Sequence, residues 1–378
     1  MTNPPPTHSD YLAQKYFSSL DIFRFFSIVA VVWHHSQEGF AWWPGSHNGF
    51  LGVDFFFVIS GFLIVTLLLR ERDRVGRISL PGFYLRRSLR IFPIYYGLIT
   101  ALALVYLLRP GSSTARSFFA DLPYQLTYLS NLVPASSVLF FTWSLSTEEQ
   151  FYLAWPPVER WFPRAALPIL VVVLGVNQAI NFGLLDAYLG DLRRLYLFQI
   201  TFTPICLGVL VAHVLHAPRG YAAVVRVLGR PWTPLVLLVA AFGACNIPGD
   251  LQGWPRLLIQ VVMTLLLTSC VVREDQAVNL LFGAHWLRRI GVISYGMYLY
   301  HMFVIALVAA LVKRASLPQF VVPFVLSLAL TVLVAELSFR YYETPFLRLK
   351  DRLGQGADRR GARVRAEVRE DRPVETLG

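Results

Sequence analysis

Ser19–Ser36, SLDIFRFFSIVAVVWHHS, is an apolar run broken by Asp21 and Arg24 near its start and by His34 and His35 at its end. Eleven residues make about three turns of an α-helix, so Arg24 and His35 share a face roughly 16 Å apart along the axis. Asp21 and Ile28 fall close to that stripe, and His34 sits about a quarter-turn away. Charged groups in a membrane span are costly and point to function. The plainer reading is that Asp21 and Arg24 sit at the headgroup boundary and anchor the helix.

The rest of the 378-residue chain matches that character: 55% hydrophobic and only 15% charged, with mean hydropathy +0.52. Soluble domains carry nearer a quarter charged residues, so an all-α, multi-pass membrane protein is expected. Ten segments approach the ~20 residues that a bilayer core requires. They cover residues 19–37, 50–69, 89–108, 143–159, 165–185, 195–215, 233–247, 255–272, 290–311 and 321–342. The fourth carries Glu148 and Glu149 and ends at Pro156-Pro157; the seventh is short. Residues 1–18 read as an N-terminal arm, 19–349 as one membrane domain, and 350–378 as a charged, disordered tail. The polar start, MTNPPPTHSD, has no cleavable-signal pattern.

A net charge of +11 raises the question of nucleic acid, but the arginines sit between apolar spans. With the N-terminus cytoplasmic, 26 Lys and Arg fall on inner segments and 7 on outer ones. That bias places both termini in the cytoplasm, in a plasma (inner) membrane, next to lipid rather than nucleic acid. Cys206, Cys245 and Cys270 show neither a disulfide framework nor metal-ligand spacing.

In this orientation Asp54, at the start of the second span, comes down opposite His35. There it would fix the imidazole tautomer, or serve as a helix-start acid. Ser60 and Gly61 suggest close helix packing. Arg86, Arg87 and Arg90 cluster where the third span meets the cytoplasm, suited to gripping phosphates. The outer segment 109–142 is long enough to form a cap. It leads to Glu148 and Glu149, of which Ser146 and Glu149 read as a capping box. Glu148 is left as the functional acid. Ser294, Tyr298 and His301 share one face of the ninth span and read as glue between helices. Glu343 and Pro345 should close the tenth span.

These pieces, in this order, resemble the acyltransferase 3 family of integral-membrane O-acyltransferases, from Leu20 to about Arg348. The matching elements are Leu20-Asp21, Arg24 and His35; Gly52-Val53-Asp54 with FFVISGFLI; FYLRRSLRIFP; WSLSTEEQFYLAWP; ISYGMYLYH; and the final Glu343–Pro345. Ile22-Phe23 and Phe25-Phe26 replace the usual small residues, and TFTPICLGVLVA lacks an arginine often found before its Leu-Gly.

The resemblance implies transfer of an acyl group, commonly acetyl, from cytoplasmic acyl-CoA to a hydroxyl acceptor at the outer side. The acceptor is often a glycan or lipid-linked glycan such as an exopolysaccharide or O-antigen; a macrolide-type small molecule is the alternative. On that reading His35 is the base or a transient acyl carrier, and Asp54 its orienter. Glu148 holds the acceptor, Arg24 supports the donor channel or an oxyanion, and Arg86, Arg87 and Arg90 bind CoA phosphates. No metal is required. A transporter would more naturally show paired repeats with broken helices, and a scaffold would not need the Arg24–His35 seam.

Overall fold

The computed structural model describes residues 6–36, 45–132, 138–190, 202–247, 251–316, 318, 321–350 and 352–353. These are helical throughout, with no strand among them. The helices are α1 (His8–Ala13), α2 (Ser18–Ser36), α3 (Leu51–Val75), α4 (Leu80–Leu107), α5 (Ser113–Leu126), α6 (Trp143–Trp161), α7 (Ala166–Asn181) and α8 (Asp186–Leu189). They continue as α9 (Thr203–His216), α10 (Pro218–Leu228), α11 (Thr233–Cys245), α12 (Trp254–Val271), α13 (Ala277–Phe282), α14 (His285–Val292), α15 (Ser294–Arg314) and α16 (Val321–Ser338). The expected tail lies outside the described residues save Lys350, Arg352 and Leu353, as do residues 37–44 of the first hairpin and 195–201 of the sixth expected span.

Five described helices are long and apolar enough to cross a bilayer: Asn48–Val75, Leu80–Leu107, Trp254–Val271, Ser294–Arg314 and Val321–Lys350. A sixth crossing is available if α9 and α10, bent by 107°, count as one broken span. Of the other expected spans, α7 and α11 have only 16 and 13 residues, and α2 and α6 are diluted by polar residues. That dilution has a physical source, because the polar positions of α2 and α6 face other helices rather than lipid.

The core is built on α3, which packs chiefly against α9, with α2 beside it. Gly61 and Gly208 permit the crossing. A Cβ on Gly61 would overlap the Ile205 carbonyl, and one on Gly208 would overlap the Val58 carbonyl. Small residues thus let two backbones touch, as expected for Gly61. Ser60 instead turns to a polar partner described below. Gly61→Ala should cost about 1–3 kcal/mol through overpacking. It would be read as a lower Tm in detergent, and an unchanged Tm would contradict this crossing.

Three local expectations are corrected. α6 runs through Pro156 and Pro157 to Trp161 instead of ending there. It also begins at Trp143, so Ser146 is already inside the helix. The Ser146 hydroxyl pairs with Ser130 at 2.7 Å rather than capping. Helix also persists beyond Pro345 to Lys350, after a π-turn at Phe339–Glu343. The wider turn gives the proline ring the room that a regular α-turn denies it. The N-terminal arm is tied to the bundle. Arg70 donates to the Tyr11 carbonyl at 2.6 Å, Tyr221 donates to the Pro6 carbonyl at 2.8 Å, and Tyr11 is buried. At the exposed start of α1, hydrogen bonds from Thr7 hold the Asp10 carboxyl below its usual pKa.

Candidate active site

Arg86 and Arg87 are consecutive on α4 and therefore point about 100° apart, whereas Arg90 lies three residues beyond Arg87 on the same face. The structure divides them accordingly. Arg86 turns away and pairs with Glu71 at 3.0 Å. Arg87 and Arg90 face a cavity that Arg24 of α2 also lines. The expected three-arginine cluster is thus assembled from two helices, with Arg24 in the place assigned to Arg86. Arg24 is held by Asp21 at 2.7 Å, one turn earlier on α2. Arg90 is open to solvent within the cavity and makes no hydrogen bond or ion pair with a described residue. Such a cation is a ready anion site.

Glu148 projects from α6 into the same cavity, but not as a free acid. It accepts from Arg87 at 3.3 Å and from the hydroxyls of Ser60 and Tyr152. The Arg87 guanidinium in turn lies 3.7 Å from the Tyr152 ring centroid. Glu148 therefore fixes a cationic wall through Oε1. Ser294, Tyr295 and Tyr298 of α15 complete the opposite wall.

From that wall the helix leads to His35. The Tyr298 hydroxyl pairs with Ser144 at 2.6 Å, and the Tyr298 carbonyl lies 2.6 Å from Nδ1 of the fully buried His301. His301 Nε2 then meets His35 Nδ1 at 3.1 Å. A carbonyl oxygen only accepts, so Nδ1 of a neutral His301 carries the hydrogen and its Nε2 presents a lone pair. The hydrogen in the His–His contact therefore belongs to His35 Nδ1. This leaves a lone pair on His35 Nε2, as a base or nucleophile requires.

Asp54 does not orient that ring. Its carboxylate takes both Nε and Nη2 of Arg256 at 2.9 Å, and the Gln260 amide at 2.8 Å. Asp54 is in the first turn of α3, and its carboxylate is bonded to α12. Arg256 and Gln260 are four apart on α12, a same-face spacing that was a usable signal for a shared partner. The sequence reading also missed His301 as the partner of His35, because a contact across 266 residues leaves no spacing to read. Tyr152 carried a signal, being one turn after Glu148 on the same helix. Among the described residues no group of three or more His, Cys, Asp or Glu could hold a metal ion.

An acyl-transfer family is what this arrangement of cations, imidazole and hydroxyls inside an apolar bundle suggests, and residues 17–337 match the family described as Acyltransferase domain. The chain belongs to that acyltransferase 3 family. Among curated proteins it is similar to the peptidoglycan O-acetyltransferase OatA of Listeria monocytogenes, 29% identical over 359 residues that cover 88% of this chain and 56% of the relative. It is similar also to the O-acetyltransferase OatA of Staphylococcus aureus, 30% identical over 359 residues, 88% of this chain and 57% of the relative. The chain thus spans less than three-fifths of the length of these relatives. No solved structure matches it.

Proposed function

We propose that the protein is a membrane O-acetyltransferase that moves an acetyl group from acyl-CoA, entering from the cytoplasm, to a hydroxyl of a cell-envelope glycan at the outer side. One observation carries the reading: α2 and α15 lead from a cavity lined by Arg24, Arg87 and the Arg90 of α4, which has no ion-pair partner among the described residues, to a histidine pair whose free nitrogen can take a proton. Family membership and the names of the relatives support the transfer reaction, and the peptidoglycan in the name of one relative supports a glycan acceptor. The charge bias along the sequence supports cytoplasmic termini and a donor site facing the cytoplasm. Ten crossings, five of them by the long helices and the others by shorter or polar helices packed among them, fit that orientation, in a plasma (inner) membrane, with residues 19–349 as the catalytic unit.

Arg24, Arg87 and Arg90 would receive the CoA phosphates, which suits planar guanidinium donors. The thioester would then lie toward Tyr298 and the histidine pair. His35 Nε2 removes the proton of the acceptor hydroxyl as its oxygen attacks the thioester carbonyl. The carbon–sulfur bond breaks, and the CoA thiolate leaves to be protonated from the imidazolium. Hydroxyl donors near Tyr298 are placed to steady charge on the carbonyl oxygen.

The test is transfer of label from radiolabelled acetyl-CoA to a peptidoglycan-type glycan by the purified protein in nanodiscs. Label reaching the glycan only when donor, protein and glycan are all present is expected. A folded protein that neither binds acetyl-CoA nor transfers its label would refute the proposal.

A further inference from the structure

Two side chains near the N-terminal end of α2 have no part in the site described so far. The first is Tyr16, just before the helix. Arg24, on the lining of the cavity, is held by one oxygen of Asp21 at 2.7 Å. The other oxygen of that carboxylate accepts from the Tyr16 hydroxyl. Tyr16 is thus pinned by its polar tip, one carboxylate away from a guanidinium of the cavity, while 57% of the residue stays exposed.

The second is Arg288 of α14. Two contacts set how α14 lies on α2. A Cβ on Gly291 would overlap the Asp21 carbonyl, and the Trp286 ring meets Phe25 with centroids 6.1 Å apart. The two helices therefore run antiparallel, and Arg288, three residues before Gly291, falls level with Arg24. Its guanidinium lies over Gly283, where a Cβ would stand 2.8 Å from a terminal nitrogen. Arg288 Nε is buried without a hydrogen-bond partner, and the group makes no ion pair with a described residue. A half-buried guanidinium with an orphaned N–H invites an anion. The Tyr16 hydroxyl lies within electrostatic reach of Arg24 and Arg288 alike, so the ring and both cations share one neighbourhood.

We infer that Tyr16 and Arg288 form a subsite for the 3′-phosphoadenosine end of the acyl-CoA donor, with adenine on the Tyr16 ring and the 3′-phosphate on Arg288. The chemistry matches in kind and number. Coenzyme A carries a diphosphate and, on its ribose, a separate phosphate monoester. Arg24, Arg87 and Arg90 in the cavity suit the diphosphate, which leaves the monoester in need of a further cation. Adenine is a flat ring of the kind that stacks on aromatic side chains. Such a subsite would also distinguish this donor from a phosphopantetheine thioester carried on a protein, which has neither adenine nor 3′-phosphate.

The inference rests on the acyl-CoA donor of the proposed function, and the test keeps the two apart. Acetyl-CoA and acetyl-3′-dephospho-CoA would be titrated calorimetrically into the protein in nanodiscs without anionic lipid. The proteins are wild type, Arg288→Ala, Tyr16→Ala and the ring-preserving Tyr16→Phe, with Tm measured for each. Wild type should bind acetyl-CoA about tenfold more tightly than the dephospho thioester, the worth of one charge-assisted hydrogen bond. Arg288→Ala should lose that preference by weakening acetyl-CoA alone, at wild-type Tm. Tyr16→Ala should weaken both thioesters about fivefold or more, and Tyr16→Phe should restore both. A preference that is missing from wild type or survives in Arg288→Ala would overturn the inference alone, as would wild-type binding by Tyr16→Ala. Folded wild-type protein that binds neither thioester would overturn it together with the proposed function.

Discussion

His35→Ala is expected to lower kcat for acetyl transfer by roughly a hundredfold to ten-thousandfold, the range of a positioned general base. The argument is geometric. His301 accepts from His35 Nδ1, its own tautomer set by the Tyr298 carbonyl, so only His35 Nε2 is available to the acceptor proton. The half-buried ring makes no ion pair, and stabilisation by bound acetyl-CoA should persist. His301→Ala should also lower kcat, by releasing the ring that the Tyr298 carbonyl now fixes at second hand. Unchanged kcat in His35→Ala, in protein that still binds acetyl-CoA, would eliminate the base assignment and require proton removal elsewhere.

Arg90→Ala should raise KM for acetyl-CoA roughly tenfold to a hundredfold, the loss of one charge-assisted hydrogen bond of about 1.5–3 kcal/mol. Because Arg90 has no ion-pair partner among the described residues, Tm should not fall. Arg87→Ala offers the contrast. Arg87 compensates Glu148 and stacks on Tyr152, so its removal strands a carboxylate and should lower Tm as well as donor affinity. Equal effects of the two variants on Tm would contradict this division between a structural and a ligand-facing cation. Donor KM that ignores Arg90 altogether would move the phosphate site out of this cavity.

The parts of this arrangement that were legible in the sequence were those carried by spacing along one helix. Arg24 and His35 declare themselves by their register, and Arg87 and Arg90 by theirs. Arg86 misled because residues adjacent in sequence diverge on a helix, and its partner Glu71 lies on the preceding one. Asp54 misled for a related reason. The acid was read either as an orienter of His35 or as a helix-start acid, and its pairing with Arg256 depends on how α3 rotates against α12, which no local pattern records. Residues 125–131 were illegible as an insertion, since a polar segment between spans reads as a surface loop. Its polar groups bond to Tyr95 and Tyr96 of α4, to Ser146 and Gln150 of α6 and to Thr142 just before α6. Helices that surround a polar interior need not be apolar all round, so hydropathy understates α2 and α6.

The rigid α2 also serves as a gauge. Its guanidinium and imidazole are separated by a count of residues rather than by a flexible loop, so the interval between phosphate grip and reacting nitrogen is set by helical rise. One residue inserted between Phe25 and Trp33 would shift His35 by about 1.5 Å and swing it about 100° out of line with Arg24. Side chains along this interval can be exchanged at modest cost, but its length cannot. Variation in this part of the chain should therefore be confined to substitution, with gaps and insertions falling in the connections between helices.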